Sequence, residues 1–207
     1  MPATMMHLQA GHDLLPQGSD AYFLGCILPD CLDFDRERKD RLHLRDLPQE
    51  ERLLALIRLG KSLNLKRDFD FGFFFHLYLD YLWDNGPQSA HRRSYSGDLW
   101  FRDYRIELKK AGARSARRMP WAKELWLRLA QTPLHVVTPD FQLPREEVEK
   151  FLSYNVSWHL QCEAEESEIF TDQAVDSFCR RSAAAFSRFL TDFFPEEAKT
   201  CPLSTLS

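Results

Sequence analysis

The segment FGFFFHLYLDYLWD, residues 71–84, constrains this chain more than any other. Its apolar positions run almost all round the helix predicted over about 68–83, so that helix belongs inside a core. His76 and Asp80 interrupt the apolar run. Four residues apart, they share one face and lie one turn from each other. A buried His and Asp cost free energy unless they pair or hold a metal ion. Gly72 lies on the same stripe one turn earlier and leaves room for something to approach. The segment therefore reads as half of a metal site.

Helical spacing, caps and breakers recur along the rest of the chain, with no alternating strand run. Residues 3–15 form an amphipathic helix that stops at Pro16-Gln17-Gly18, and Ser19 caps a second helix through Leu28. The charged stretch from Asp30 to Leu47 is expected to be a loop. Pro48 and Gly60 bracket a third helix, Pro48 as its first position and Gly60 just past its end. Asn85-Gly86-Pro87 should break the His76 helix. Further helices are predicted over about 98–118, from Pro120, from Pro144 to about Glu166, and from Thr171 to Phe194; 132–144 is a loop and the tail after Pro195 is frayed. The expectation is an all-α single domain, a multi-helix bundle over residues 1–207, with its chemistry in residues 4–85.

Composition removes several alternatives. Lys and Arg number 27 against 31 Asp and Glu, a formal charge of −4, which gives no strong nucleic-acid signal. The local basic run from Lys109 to Arg118 reads as a solvated helix face rather than a phosphate-facing patch. Five cysteines form no CxxC pair, which suggests free thiols in a reducing compartment. The N-terminus shows no secretory pattern and no apolar run is long enough to span a bilayer, so a soluble, cytoplasmic protein is expected. His12-Asp13 matches the adjacent pair of HD-type phosphohydrolases, but His7 is too close to be the earlier His that such a site needs. A ferritin-like di-metal bundle needs two Glu-x-x-His helices, and none is present.

Five residues extend the metal reading: His7 on the first helix, Asp30 after Pro29, His43 in the charged stretch, and His76 with Asp80. A His and carboxylate mixture suits zinc, and also iron, nickel or manganese. Five ligands fit one five-coordinate ion or two ions sharing a carboxylate. The order Thr4-x-x-His7, Phe23-Leu-Gly25-x-x-x-Pro29-Asp30, His43 and Gly72-x-x-x-His76-x-x-x-Asp80-x-x-Trp83 resembles the zinc-dependent phospholipase C family, which is related in fold to the P1-type nucleases. The resemblance implies an all-α bundle with a cluster of one or more divalent ions, held by His7, Asp30, His43, His76 and Asp80, with Asp80 as bridging carboxylate. It also implies a further ion on a His-x3-Glu pair. His159 and Glu163 have that spacing, with Asn155 one turn earlier, and His91 or His135 would be the missing partner. The family's N-terminal Trp ligand has no counterpart, since no Trp precedes Trp83.

The resulting expectation is a zinc-dependent hydrolase of a phosphate ester, a phosphodiester or phosphomonoester, acting through a metal-activated water on a small-molecule substrate. Asp84 or Asp33 is a candidate base. The alternative is a metal-binding or interaction protein of the same fold without catalysis.

Overall fold

The structure is a computed structural model, described for residues 2–32, 35–136 and 143–206. All its regular elements among these residues are helical. Helix α1 spans Thr4–Leu14 and α2 spans Asp20–Ile27. The Ser19 hydroxyl caps α2 by accepting from the Tyr22 amide, satisfying one orphan donor of the first turn. A 3-10 turn, Leu28–Cys31, follows and carries Asp30. Then come α3, Arg36–Leu42; α4, Gln49–Ser62; and α5, Asp68–Trp83. After a π-helical turn, Asp84–Gln88, the chain continues into α6, Ser89–Ser94; α7, Trp100–Arg118; and α8, Ala122–Gln131. Helix α9 is Arg145–Gln161, α10 is Asp172–Phe193 and α11 is Pro195–Ala198.

The buried helix is α5, and α2 lies against it more extensively than any other element does. Two glycines make that closeness possible. A Cβ on Gly72 would stand 2.1 Å from the Tyr22 carbonyl oxygen, and one on Gly25 would stand 2.3 Å from the Phe69 carbonyl oxygen. What approaches Gly72 is therefore the backbone of α2, and not a ligand. On its other side α5 stacks Phe74, Phe75 and Tyr78 against Phe186 and Phe189 of α10, with ring centroids 4.7–6.0 Å apart. Edge-to-face and tilted packing of this kind adds about 0.5–1.5 kcal/mol per pair beyond simple burial. Trp83 ends the helix among Phe170 and Phe178, and its indole N–H donates to the Tyr104 hydroxyl at 2.6 Å.

Several expectations change at the boundaries. The stretch 30–47 is not all loop: Asp35 caps the short α3 by accepting from the Arg38 amide. Gly60 lies inside the last turn of α4, where a Cβ would meet Phe74 at 2.4 Å and Phe194 at 2.6 Å; its role is close packing. Asn85-Gly86-Pro87 does not break the path of α5. The π turn absorbs Pro87, and the Asn85 side chain donates to the Tyr81 carbonyl. Helix α9 stops at Gln161, earlier than expected, so Glu163 does not lie one turn beyond His159. The tail after Pro195 holds α11 and a 3-10 turn, and buries Cys201. Part of the predicted loop 132–144, residues 137–142, lies outside the described residues, as does Asp33.

The basic run of α7 is mostly occupied within the molecule. Arg114 pairs with Asp172 at 2.7 Å and Arg118 with Asp176 at 2.7 Å, both on α10, and Arg117 donates to the Cys162 carbonyl. No disulfide links the cysteines. Among the described residues no helix is long and apolar enough to cross a membrane.

Candidate metal centre

Four elements deliver the five polar residues to one place. Helix α1 brings His7, the 3-10 turn brings Asp30, the end of α3 brings His43, and α5 brings His76 and Asp80. All five are at most 3% exposed. His43 Nε2 lies 3.1 Å from His76 Nε2, 3.5 Å from an Asp30 oxygen and 3.5 Å from an Asp80 oxygen. His7 Nε2 lies 3.3 Å from the other Asp80 oxygen, and its ring stacks on that of His76 with centroids 3.9 Å apart. Residues 73 positions apart in sequence thus share one buried cluster.

Backbone carbonyls orient two of the imidazoles. His76 Nδ1 is 2.7 Å from the Cys26 carbonyl, and His43 Nδ1 is 2.7 Å from the Lys39 carbonyl. A carbonyl only accepts, so both Nδ1 atoms carry the proton. In the neutral rings both Nε2 atoms then hold lone pairs, and these face each other at 3.1 Å. That juxtaposition is repulsive unless a proton or a cation stands between them. Burial, and after it the neighbouring His7, hold His76 well below the usual imidazole range, against the pull of Asp80 and Asp30. A proton on His76 is therefore disfavoured, and a metal ion suits the gap. Two ligands at about 2.05 Å from a tetrahedral zinc lie roughly 3.4 Å apart, close to the separations found here. Hydrogen bonding of the distal ring nitrogen to a carbonyl is also the usual second contact of a metal-binding His.

Orphaned polar atoms point the same way. Both ring nitrogens of His7, one oxygen of Asp30 and one oxygen of Asp80 are buried without a partner of hydrogen-bonding geometry, although the Asp30 oxygen faces the Lys39 ammonium at 3.2 Å and the Asp80 oxygen faces His7 Nε2 at 3.3 Å. Groups of donor atoms close enough for an ion are His7, His76 and Asp80, and Asp30, His43 and His76. His76 is common to the two groups.

The sequence reading missed the cations. Lys39 of α3 reaches Asp30 at 3.2 Å, and Arg45 reaches Asp80 at 2.7 Å and Asp84 at 3.0 Å. Arg52 of α4 adds a 3.0 Å contact to Asp84. Burial pushes the Asp30 carboxyl up, but the Lys39 ammonium, with the His43 ring beside it, outweighs burial and holds Asp30 well below the carboxylate range. Arg45, and after it His7, do the same for Asp80. Both are ionised acceptors. Asp84 is clasped by two guanidinium groups, which does not suit the role of spare base.

The expected further ion finds less support. His159 is buried on α9, with Nδ1 donating to the Asn155 carbonyl at 2.7 Å and its ring stacked on Trp126. Glu163 is exposed past the helix end, His135 is exposed, and His91 packs against Tyr104 and Phe170. None of these four belongs to a group of metal-capable donors among the described residues. Comparison with protein-family models, with curated proteins and with solved structures gives no match to this chain.

Proposed function

We propose that the chain is a metal-dependent hydrolase of phosphate esters, with His7, Asp30, His43, His76 and Asp80 as the candidate ligands. The observation that carries the metal reading is the pair of facing Nε2 atoms of His43 and His76, 3.1 Å apart, each with its Nδ1 bonded to a carbonyl. The resemblance to zinc-dependent phospholipases C carries the reaction class. Zinc fits the donor set best, since imidazole and carboxylate together suit it and the distances match its ligand spacing.

Charge favours one ion. Asp30, Asp80 and Asp84 supply three negative charges, and Lys39, Arg45 and Arg52 face them with three positive ones. One divalent ion leaves a site of +2, which attracts a phosphate dianion. A second ion would leave +4 in a buried place, at a high desolvation cost. An imidazole Nε2 also binds one ion only, and His76 is shared between the two donor groups.

A divalent ion in such a site supplies Lewis acidity toward a phosphoryl oxygen and an acidified water. The protein groups do the rest. Lys39 and Arg45 hold the carboxylates in place and add fixed positive charge near the developing negative charge of the phosphoryl group. In the overall reaction water forms a new P–O bond, the ester P–O bond breaks, one water proton passes to the leaving alkoxide, and inorganic phosphate or a phosphomonoester departs. The same two ion pairs also suit the second reading, a closed metal-binding protein without catalysis, because they cover both carboxylates.

Metal analysis and turnover separate these readings. Purified protein should carry about one zinc per chain, lost to a chelator together with hydrolysis of an aryl phosphate and regained with zinc or manganese. One ion per chain with no turnover of any phosphomonoester, phosphodiester or phospholipid supports the second reading. Absence of metal from zinc-saturated protein sinks both.

A further inference from the structure

A cavity of about 550 Å³ opens beside the cluster and shares Asp30 with it. Its walls come from the start of α1, the 3-10 turn, α3, α7 and α9. The charged side chains on the wall are Lys39, Arg105, Lys109 and Lys150 against Asp30 and Glu147, an excess of two positive charges before any metal ion is added. Between the cations lie aromatic faces. Trp158 and Tyr154 line the cavity, and the Lys109 ammonium sits 6.0 Å from the centre of the Trp158 ring.

From this wall we infer the substrate class: a small phosphate monoester, dianionic, whose alcohol lays a flat or apolar face against Trp158 and Tyr154. The inference rests on the phosphoester reading of the neighbouring cluster. The phosphoryl group belongs at the Asp30 and Lys39 end, since that end meets the cluster. Arg105 and Lys109 draw the dianion in from outside, while Lys150 is paired with Glu146 at 2.7 Å; the low polarity of the aromatic faces strengthens the attraction. His159 adds no charge: burial lowers it to about 4, so its imidazole is neutral near pH 7 and Nε2 remains as an acceptor. Glu147 opposes the pattern. One of its carboxylate oxygens is buried without a partner, which suits a hydroxyl on the alcohol and repels a second phosphate there. A quaternary ammonium headgroup fits poorly among these cations.

Calorimetric titration with phenyl phosphate on metal-free protein, in which the ester is not turned over, tests the assignment without relying on hydrolysis. Phenyl phosphate should bind at least tenfold more tightly than the phenyl phosphodiester of a quaternary-ammonium alcohol. The double substitution Arg105→Glu, Lys109→Glu alters two surface side chains and should weaken phenyl phosphate binding about tenfold or more, with circular dichroism and zinc content unchanged. Glu147→Gln removes the opposing charge and should tighten binding, a gain that damage to the fold cannot mimic. Equal affinity for the two esters, or unchanged affinity in both variants, overturns the pocket assignment even if the enzyme hydrolyses phosphoesters. Charge-dependent binding without hydrolysis keeps the pocket and removes the hydrolase.

Discussion

Asp80→Ala should strip the metal from the protein and lower its stability by about 3–5 kcal/mol. Asp80 is 1% exposed and holds together groups that have nowhere else to go. Its oxygens face His7 at 3.3 Å, His43 at 3.5 Å and Arg45 at 2.7 Å. Removing the carboxylate costs the Arg45 guanidinium its 2.7 Å partner and leaves two imidazoles facing a void. The penalty is the desolvation of those groups, since the pair itself has little net worth in a buried setting. Asp80→Asn separates the two effects. The amide keeps the volume and one acceptor, so it should cost less stability than Ala while still losing zinc affinity. Urea unfolding with parallel metal analysis reads both quantities. Unchanged zinc content in both variants would rule out a ligand role for Asp80.

Gly72→Ala should do comparable damage without removing any polar group. The added Cβ would lie 2.1 Å from the Tyr22 carbonyl oxygen and 3.1 Å from the Cys26 amide nitrogen. Both are backbone atoms of a helix, so no side chain can swing aside. Helices α2 and α5 must separate, which opens the best-packed contact of the molecule; the cost is about 3 kcal/mol. The site suffers with the fold, because the Cys26 carbonyl that orients His76 rides on α2. Gly86→Ala is the control, since a Cβ there meets nothing within 4 Å. It should change stability by no more than about 0.5 kcal/mol. If Gly72→Ala melts within a degree or two of the parent, the close crossing of α2 and α5 does not depend on the missing side chain.

The parts of the molecule legible in the sequence are those encoded locally. The span of α5 follows from its apolar run, and the α2 start from Ser19, because caps and periodicity act within a few residues. His76 and Asp80 show themselves for the same reason, as two polar groups on a helix with no polar face. The convergence of His7, Asp30 and His43 on them is readable only through an order of residues that resembles the phospholipase C pattern, since no local rule joins α1 to α5. Helix α3 escaped because its seven residues, RERKDRL, carry one apolar side chain and so no periodic signal. Lys39 and Arg45 escaped with it: their partners lie 9 and 35 positions away. Gly72 was visible as a gap, but sequence does not say whether a ligand or a backbone fills it. Gly60 resembled a helix end because its packing partners, Phe74 and Phe194, are distant in the chain.

The α3 helix buries none of its own side chains. Leu42 and Leu44 pack half-buried against the core, and ionic and imidazole contacts add to that anchor: Lys39 on Asp30, His43 on His76, Arg45 on Asp80 and Asp84. Segments anchored this way open at the low end of a protein's local free-energy range. Anything held between His43 and His76 must be released before the segment lifts, so occupancy deepens its closed state by RT ln(1 + [L]/Kd). Amide exchange along residues 36–45 is thus a natural gauge of how full the site is, readable without any turnover assay.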